Sequence, residues 1–145
     1  MISEIDRIWE YSNYYGDMVA TAKRLHDAEE NYAAIMILFN AMELIFKSVR
    51  ENFDQNINQD LVDLKNKNLI TEDEFSFLND KENGIRVVRN IMTHRNAYQY
   101  CLEDVDGIAL PFADSGTWSI VYNSYAPRIM DILVRVIYKS NHQMD

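Results

Sequence analysis

The chain is predicted to fold as an all-α bundle of four long helices plus short ones, with a loop or small hairpin inserted before the last helix. Three observations lead there. Apolar residues make up 48% of 145, enough for one core in a single domain spanning 1–145. Only 4 Gly and 2 Pro interrupt the chain, which favours long regular elements and few tight turns. Apolar positions recur mostly at helical spacing, with a short exception after Tyr98.

The elements follow in order. From about Ser3 to His26, the residues Ile5, Ile8, Trp9, Met18, Val19 and Leu25 trace one helix, with Gly16 as a bend. From about Ala28 to Phe53, Ala33, Ile37, Ala41, Leu44 and Val49 mark the most buried helix. Asn56 to Asn58 interrupts the pattern, and a shorter helix covers about Gln59 to Asn68. Thr71-Glu72-Asp73-Glu74 fits a capping box, so a further short helix starts there. Asp80 to Gly84 reads as a turn into a helix over about 81–96. Asp106-Gly107, Pro111 and Ser115-Gly116 are turn signals. Between them, Ile108–Phe112 and Thr117–Tyr122 are apolar and partly β-branched, as in a hairpin. Ile129, Ile132, Leu133, Val136 and Ile137 share one face of a last helix over Ser124 to Ser140, with Pro127 in its first turn.

Composition narrows the chemistry. The lone cysteine, Cys101, excludes an internal disulfide and a cysteine zinc site, and reads as a small buried hydrophobe. The acidic start, Met1 to Asp6, is unlike a signal peptide. No stretch reaches the roughly 18 unbroken apolar residues of a membrane span, so a cytoplasmic protein without membrane contact is expected. His26, His94 and His142 are scattered, and no metal site is expected. Phosphate-loop, dinucleotide and nucleophile-elbow motifs do not occur. Asp80-Lys81-Glu82-Asn83-Gly84 has the opening of a calcium loop but not its later ligands. The net charge of −9 repels nucleic acid over most of the surface and leaves room only for a local anion site or a basic partner.

One segment has the composition such a site needs. The chain carries 23 acidic residues, yet residues 83–102 contain none, while Arg86, Arg89, His94 and Arg95 all lie there. At its centre is Arg89-Asn90-Ile91-Met92-Thr93-His94. Histidine moves protons near neutral pH, and arginine holds a phosphate by two prongs and offsets charge building on phosphorus. At about 100° per residue, Arg86, Arg89, Asn90, Thr93 and His94 fall in one wedge about 140° wide. Ile85, Val87, Val88, Ile91 and Met92 fill the other side. Such a polar stripe is also what an ordinary solvated helix face looks like. Arg95 falls in the apolar half: either the helix has ended, or Arg95 meets a buried carboxylate. In the second helix, Asn40, Glu43 and Lys47 share a face. Glu43 either pairs with Lys47 at the surface or crosses the bundle to orient Arg89 or His94.

With its long helix carrying Glu43 followed by R-N-x-x-x-H late in a small helical bundle, the chain resembles the HEPN domain family (higher eukaryotes and prokaryotes nucleotide-binding). The hallmark of that family is an arginine and a histidine separated by four to six residues, most often with asparagine directly after the arginine. The resemblance follows the helix order from about Ser3 to Ser140, but the specific match is the motif alone. It implies a HEPN-like bundle and a metal-independent endoribonuclease that needs no cofactor. It also implies a homodimer with a composite site, an RNA substrate, a toxin–antitoxin or phage-defence setting, and an antitoxin or regulatory protein as partner. Carried over by position, Arg89 would stabilise the scissile phosphate and His94 would act as general base or acid. Asn90 and Glu43 would support them, with Thr93 and Arg86 on the same face. One branch, a toxin paired with a minimal nucleotidyltransferase, extends the motif to H-x-Y. Here that position is Asn96, and Tyr98 lies two residues later. Other members are non-catalytic and bind nucleotides or proteins, which is the alternative for this chain.

Overall fold

Ser12 divides the first predicted helix in two. In the computed structural model, which describes residues 2–82, 84–94, 96–103 and 106–143, α1 spans Glu4–Tyr11 and α2 spans Asn13–Asp27. Ser12 lies in extended conformation between them. Its N–H donates to the Ile8 carbonyl at 2.9 Å, closing α1, and its hydroxyl accepts from the Tyr15 N–H at 3.2 Å, opening α2. Gly16 does not bend the helix as expected. It sits inside α2, where α1 folds back so closely that a Cβ there would lie 2.4 Å from the Trp9 Cα. The glycine is therefore needed for close approach, while the chain turns one residue after α1 ends.

The central element is α3, Asn31–Arg50. It packs against α2, α7, α4 and α6. Its buried face is Ala34, Ile35, Leu38, Phe39, Ala41, Met42, Ile45 and Phe46, with Glu43 among them. The expectation that this helix is the most buried is met, but the face is not the expected one. Of the positions named from spacing, only Ala41 is buried, and Ala33 is exposed. Apolar residues occur on nearly every side of α3, so periodicity had no contrast to work with. By length and apolarity α3 is also long enough to cross a bilayer, which the sequence reading overlooked; half of that stretch is buried inside the bundle.

The short helices α4 (Ile57–Asn66) and α5 (Glu72–Asn79) carry the chain across the end of α3, and α6 (Ile85–Met92) returns to it. Asn56 caps α4 by accepting from the Gln59 N–H at 2.8 Å. The predicted capping box is present: the Thr71 hydroxyl accepts from the Glu74 N–H at 3.1 Å, and a Glu74 oxygen accepts from the Thr71 N–H at 2.8 Å. The other Glu74 oxygen pairs with Arg135, so the same carboxylate ties α5 to the last helix.

After a 3-10 turn at Ala97–Gln99, β1 (Cys101–Glu103) pairs antiparallel with β2 (Ala109–Pro111), Leu102 facing Leu110. A hairpin does precede the last helix, but Thr117–Tyr122 is not one of its strands. Those residues belong to α7, Ser115–Gln143, which starts nine residues earlier than predicted. Thr117, Trp118, Val121, Ala126, Ile129, Ile132, Leu133, Val136 and Ile137 form one buried stripe along it. Burial at helical spacing overrides the strand preference of β-branched and aromatic residues, which is a weak and context-dependent bias. Pro127 consequently lies inside α7, on its exposed side, rather than in a first turn. Cys101 is exposed on β1, contrary to its reading as a buried hydrophobe.

The described residues thus form seven helices and one small hairpin, with three long helices (α2, α3 and α7) rather than four. The missing long helix is the one over 81–96, which has only eight residues.

Between α3 and α4 lies a polar cluster. The Lys47 ammonium donates to Asp60 Oδ2 at 2.6 Å and to the Gln55 carbonyl at 2.5 Å, while Gln55 Nε2 donates to Asp60 Oδ1 at 2.7 Å. Asp60 is fully buried. Two predictions follow from these contacts. Gly16→Ala forces α1 away from α2 and is expected to lower stability by about 2–3 kcal/mol in urea denaturation. Asp60→Ala leaves the Lys47 charge in the interior without its partner and is expected to cost about 3–5 kcal/mol in the same assay; a loss under about 1 kcal/mol would show that the cluster is effectively solvated.

Candidate functional site

The eight residues of α6 have the amphipathic pattern read from the sequence. Ile85, Val88 and Met92 are buried, Arg86, Val87, Arg89 and Ile91 are half-buried, and Asn90 is exposed. The helix stops at Met92, so the wedge calculated at helical spacing does not extend to the last two motif residues. Thr93 is the C-cap, and its hydroxyl donates to the Asn90 carbonyl at 2.9 Å. His94 is on the turn beyond. Its N–H donates to the Ile91 carbonyl at 2.9 Å, and its carbonyl accepts from the Ala97 N–H at 3.2 Å. Among the described residues the His94 ring has neither a hydrogen-bond nor an ion-pair partner, and the side chain is exposed. Arg95 lies outside the described residues.

Of the two readings of Glu43, the cross-bundle one holds for Arg89. Glu43 Oε1 lies 3.3 Å from Arg89 Nε, an ion pair joining α3 to α6. Lys47 is not its alternative surface partner, because Asp60 holds that ammonium. Glu43 is buried, with a side chain 11% exposed, whereas that of Arg89 is 34% exposed. The contact engages Nε, and among the described residues neither terminal nitrogen of Arg89 has an acceptor. An arginine anchored by its inner nitrogen keeps its outer fork available for an anion. Arg86 is held differently, its Nε donating to Asn79 Oδ1 at 2.6 Å across the α5–α6 turn.

Burial raises the Glu43 pKa above the ordinary carboxylate value. The Arg89 and Lys47 charges oppose that rise, and the Asp60 charge adds to it. The carboxylate is therefore kept beside Arg89 against the preference of its own surroundings, a condition common at functional sites.

Several residues that position this region carry no motif signal. The Tyr32 hydroxyl, from the first turn of α3, donates to the Met92 carbonyl at 2.8 Å and so fixes the last turn of α6. The Tyr32 ring stands edge-on to Trp118 at 4.9 Å, and Trp118 stands edge-on to Phe112 at the same distance. Trp118 Nε1 donates to the Phe112 carbonyl at 3.0 Å, and the Phe112 N–H donates to the Tyr100 carbonyl at 2.9 Å. The segment bearing His94 is thus tied down at both ends, at Met92 and at Tyr100. These contacts span up to 60 residues of sequence, and nothing local in the chain announces them.

The structure brings Glu43 to Arg89 and Arg86 to Asn79. It makes no hydrogen bond between Arg89 and His94, and it leaves Asn90, Thr93 and His94 exposed. Among the described residues, no three His, Cys, Asp or Glu side chains cluster around a point where one metal ion would fit. Comparison of the chain with protein-family models, curated proteins and solved structures finds no match.

The raised Glu43 pKa has a testable consequence. Protonated Glu43 suits the fold better than ionised Glu43, so its contribution to stability is fully present below the ordinary carboxylate pKa and is lost as pH rises through the raised value. Glu43→Gln mimics the protonated form. The variant is expected to match the wild type at pH 4 and to become the more stable protein by pH 8, as read by urea denaturation. A variant less stable at pH 8 than at pH 4, relative to wild type, would mean that the Arg89 attraction outweighs burial.

Proposed function

We propose that this chain is a HEPN-type, metal-independent endoribonuclease that acts as a homodimer in a toxin–antitoxin or phage-defence setting. The observation carrying this reading is the Arg89–Glu43 ion pair, which holds Arg89 by Nε and, among the described residues, leaves its outer fork without an acceptor; His94, five residues on, is exposed and has no side-chain partner among them either. The acid-free stretch over 83–102 supports it, because an anionic substrate meets no fixed negative charge from that segment.

In this mechanism the substrate RNA supplies the nucleophile. Its 2′-hydroxyl attacks the adjacent phosphorus, the bond from phosphorus to the 5′-oxygen breaks, and the products are a 2′,3′-cyclic phosphate and a 5′-hydroxyl. His94 transfers a proton, as base from the 2′-hydroxyl or as acid to the departing oxygen. Arg89 stabilises the charge that develops on the phosphorane. Asn90 positions the strand, Glu43 orients Arg89, and Thr93 and Arg86 complete the polar surface. Two protomers meeting at this surface would supply two histidines and two arginines, and would concentrate positive charge that one acidic chain lacks. An antitoxin or other regulatory protein would cover the same surface.

The net charge of −9 favours a second reading, a non-catalytic HEPN module that binds a nucleotide or a partner protein. The two are separated by incubating the wild type with a mixed RNA pool in EDTA and identifying the 3′ ends. His94→Ala is expected to reduce cleavage by about a thousandfold or more while leaving the melting temperature unchanged, and Arg89→Ala to reduce it as far in a protein that still folds but melts lower, because buried Glu43 loses its partner. Glu43→Gln is expected to reduce it on the order of 10- to 100-fold. Cleavage that survives both alanine substitutions sinks the ribonuclease reading. Nucleotide binding by calorimetry without cleavage moves the conclusion to the binding module.

A further inference from the structure

A groove of about 480 Å³ runs between α1 and the C-terminal end of α7. Its charged lining is Arg7, Glu10, Arg135 and Lys139, three cations to one acid, in a chain whose overall balance is the reverse. Arg135 is committed to Glu74 and Asp131. Arg7 and Lys139 are not: among the described residues neither has a carboxylate within ion-pair distance. The two walls of this groove, α1 and α7, thus each bring a cation that no described carboxylate pairs.

Two aromatic rings line the same groove. The Tyr11 hydroxyl hydrogen-bonds that of Ser48 at 2.6 Å, and the Tyr138 ring is 61% exposed. Val134 and Ile137 supply the apolar surface beneath. Cations that take a phosphate, next to an exposed ring that takes a base, are the two components of sequence-tolerant nucleotide binding. We propose that this groove binds a nucleotide unit, with its phosphate between Arg7 and Lys139 and its base against Tyr138. The unit is either a free nucleotide or one residue of a single strand. The inference goes beyond the ribonuclease reading and needs neither Arg89 nor His94.

The test uses the His94→Ala protein, so that any strand stays intact. A fluorescein-labelled oligouridylate of roughly ten nucleotides is titrated by anisotropy, and uridine monophosphate and inorganic phosphate are titrated by calorimetry. Adding Arg7→Gln with Lys139→Gln is expected to weaken nucleotide binding at least tenfold. On the strand it should also flatten the salt dependence by about 1.4 in log–log slope, two phosphate contacts at about 0.7 each. Adding Tyr138→Ala instead is expected to weaken nucleotide binding about tenfold and leave phosphate binding unchanged. These side chains lie at the groove surface, and unchanged melting of each variant confirms an intact fold. Loss confined to the mononucleotide identifies a free-nucleotide site, and loss confined to the strand identifies a strand track; either supports the proposal. It is overturned if neither nucleotide probe binds, if the double substitution leaves affinity unchanged, or if phosphate binds as tightly as the nucleotide and Tyr138→Ala has no effect.

Discussion

Glu43 is the acidic residue on the buried face of the helix that forms the centre of the bundle, and most of what distinguishes this molecule is arranged around that charge. A buried carboxylate needs compensation, since isolated charge is disfavoured in the interior. Arg89 supplies it from α6. Lys47, one turn along α3, contributes at longer range but makes its own bonds to Asp60 and the Gln55 carbonyl. The chain of opposite charges therefore runs from α6 through α3 to α4. It gives α6, an eight-residue helix with little intrinsic stability, a defined seat against the core.

The same constraint accounts for the character of the candidate site. Its arginine is held from below by a carboxylate that burial would rather protonate, and so is fixed in place without being fully neutralised at its outer nitrogens. Its histidine is on the turn beyond the helix, outside regular structure. That turn is held by Tyr32 at one end and by the Trp118–Phe112–Tyr100 contacts at the other. Packed elements thus present an exposed segment that carries the histidine, the usual division of labour between scaffold and candidate site.

The acidic composition bears on every reading of function. A net charge of −9 works against broad association with nucleic acid, and carboxylates hold Lys23, Lys47, Arg50, Lys65, Arg89 and Arg135. The local exceptions therefore carry unusual weight. One is the acid-free motif segment; the other is the groove with Arg7 and Lys139. Two small positive regions on an acidic body favour selective engagement of an anion over general adhesion.

The sequence by itself determined the helical class, the apolar face of the motif helix, the capping box at Thr71–Glu74, the buried stripe of the last helix and the presence of a hairpin before it. Each rests on interactions between residues a few positions apart, which spacing alone encodes. Tertiary structure decided the rest. It broke the first helix at Ser12, because the backbone there closes one helix and caps the next while Gly16 lets the two approach. It chose the buried side of α3, which is apolar almost all round and so carries no local contrast. It drew Thr117–Tyr122 into α7, because burying Trp118 and Val121 outweighs a weak strand preference. It also chose between the two partners left open for Glu43, since Asp60 holds Lys47 and α6 delivers Arg89. Contacts that span tens of residues depend on how whole elements meet, and no short stretch of chain contains that information.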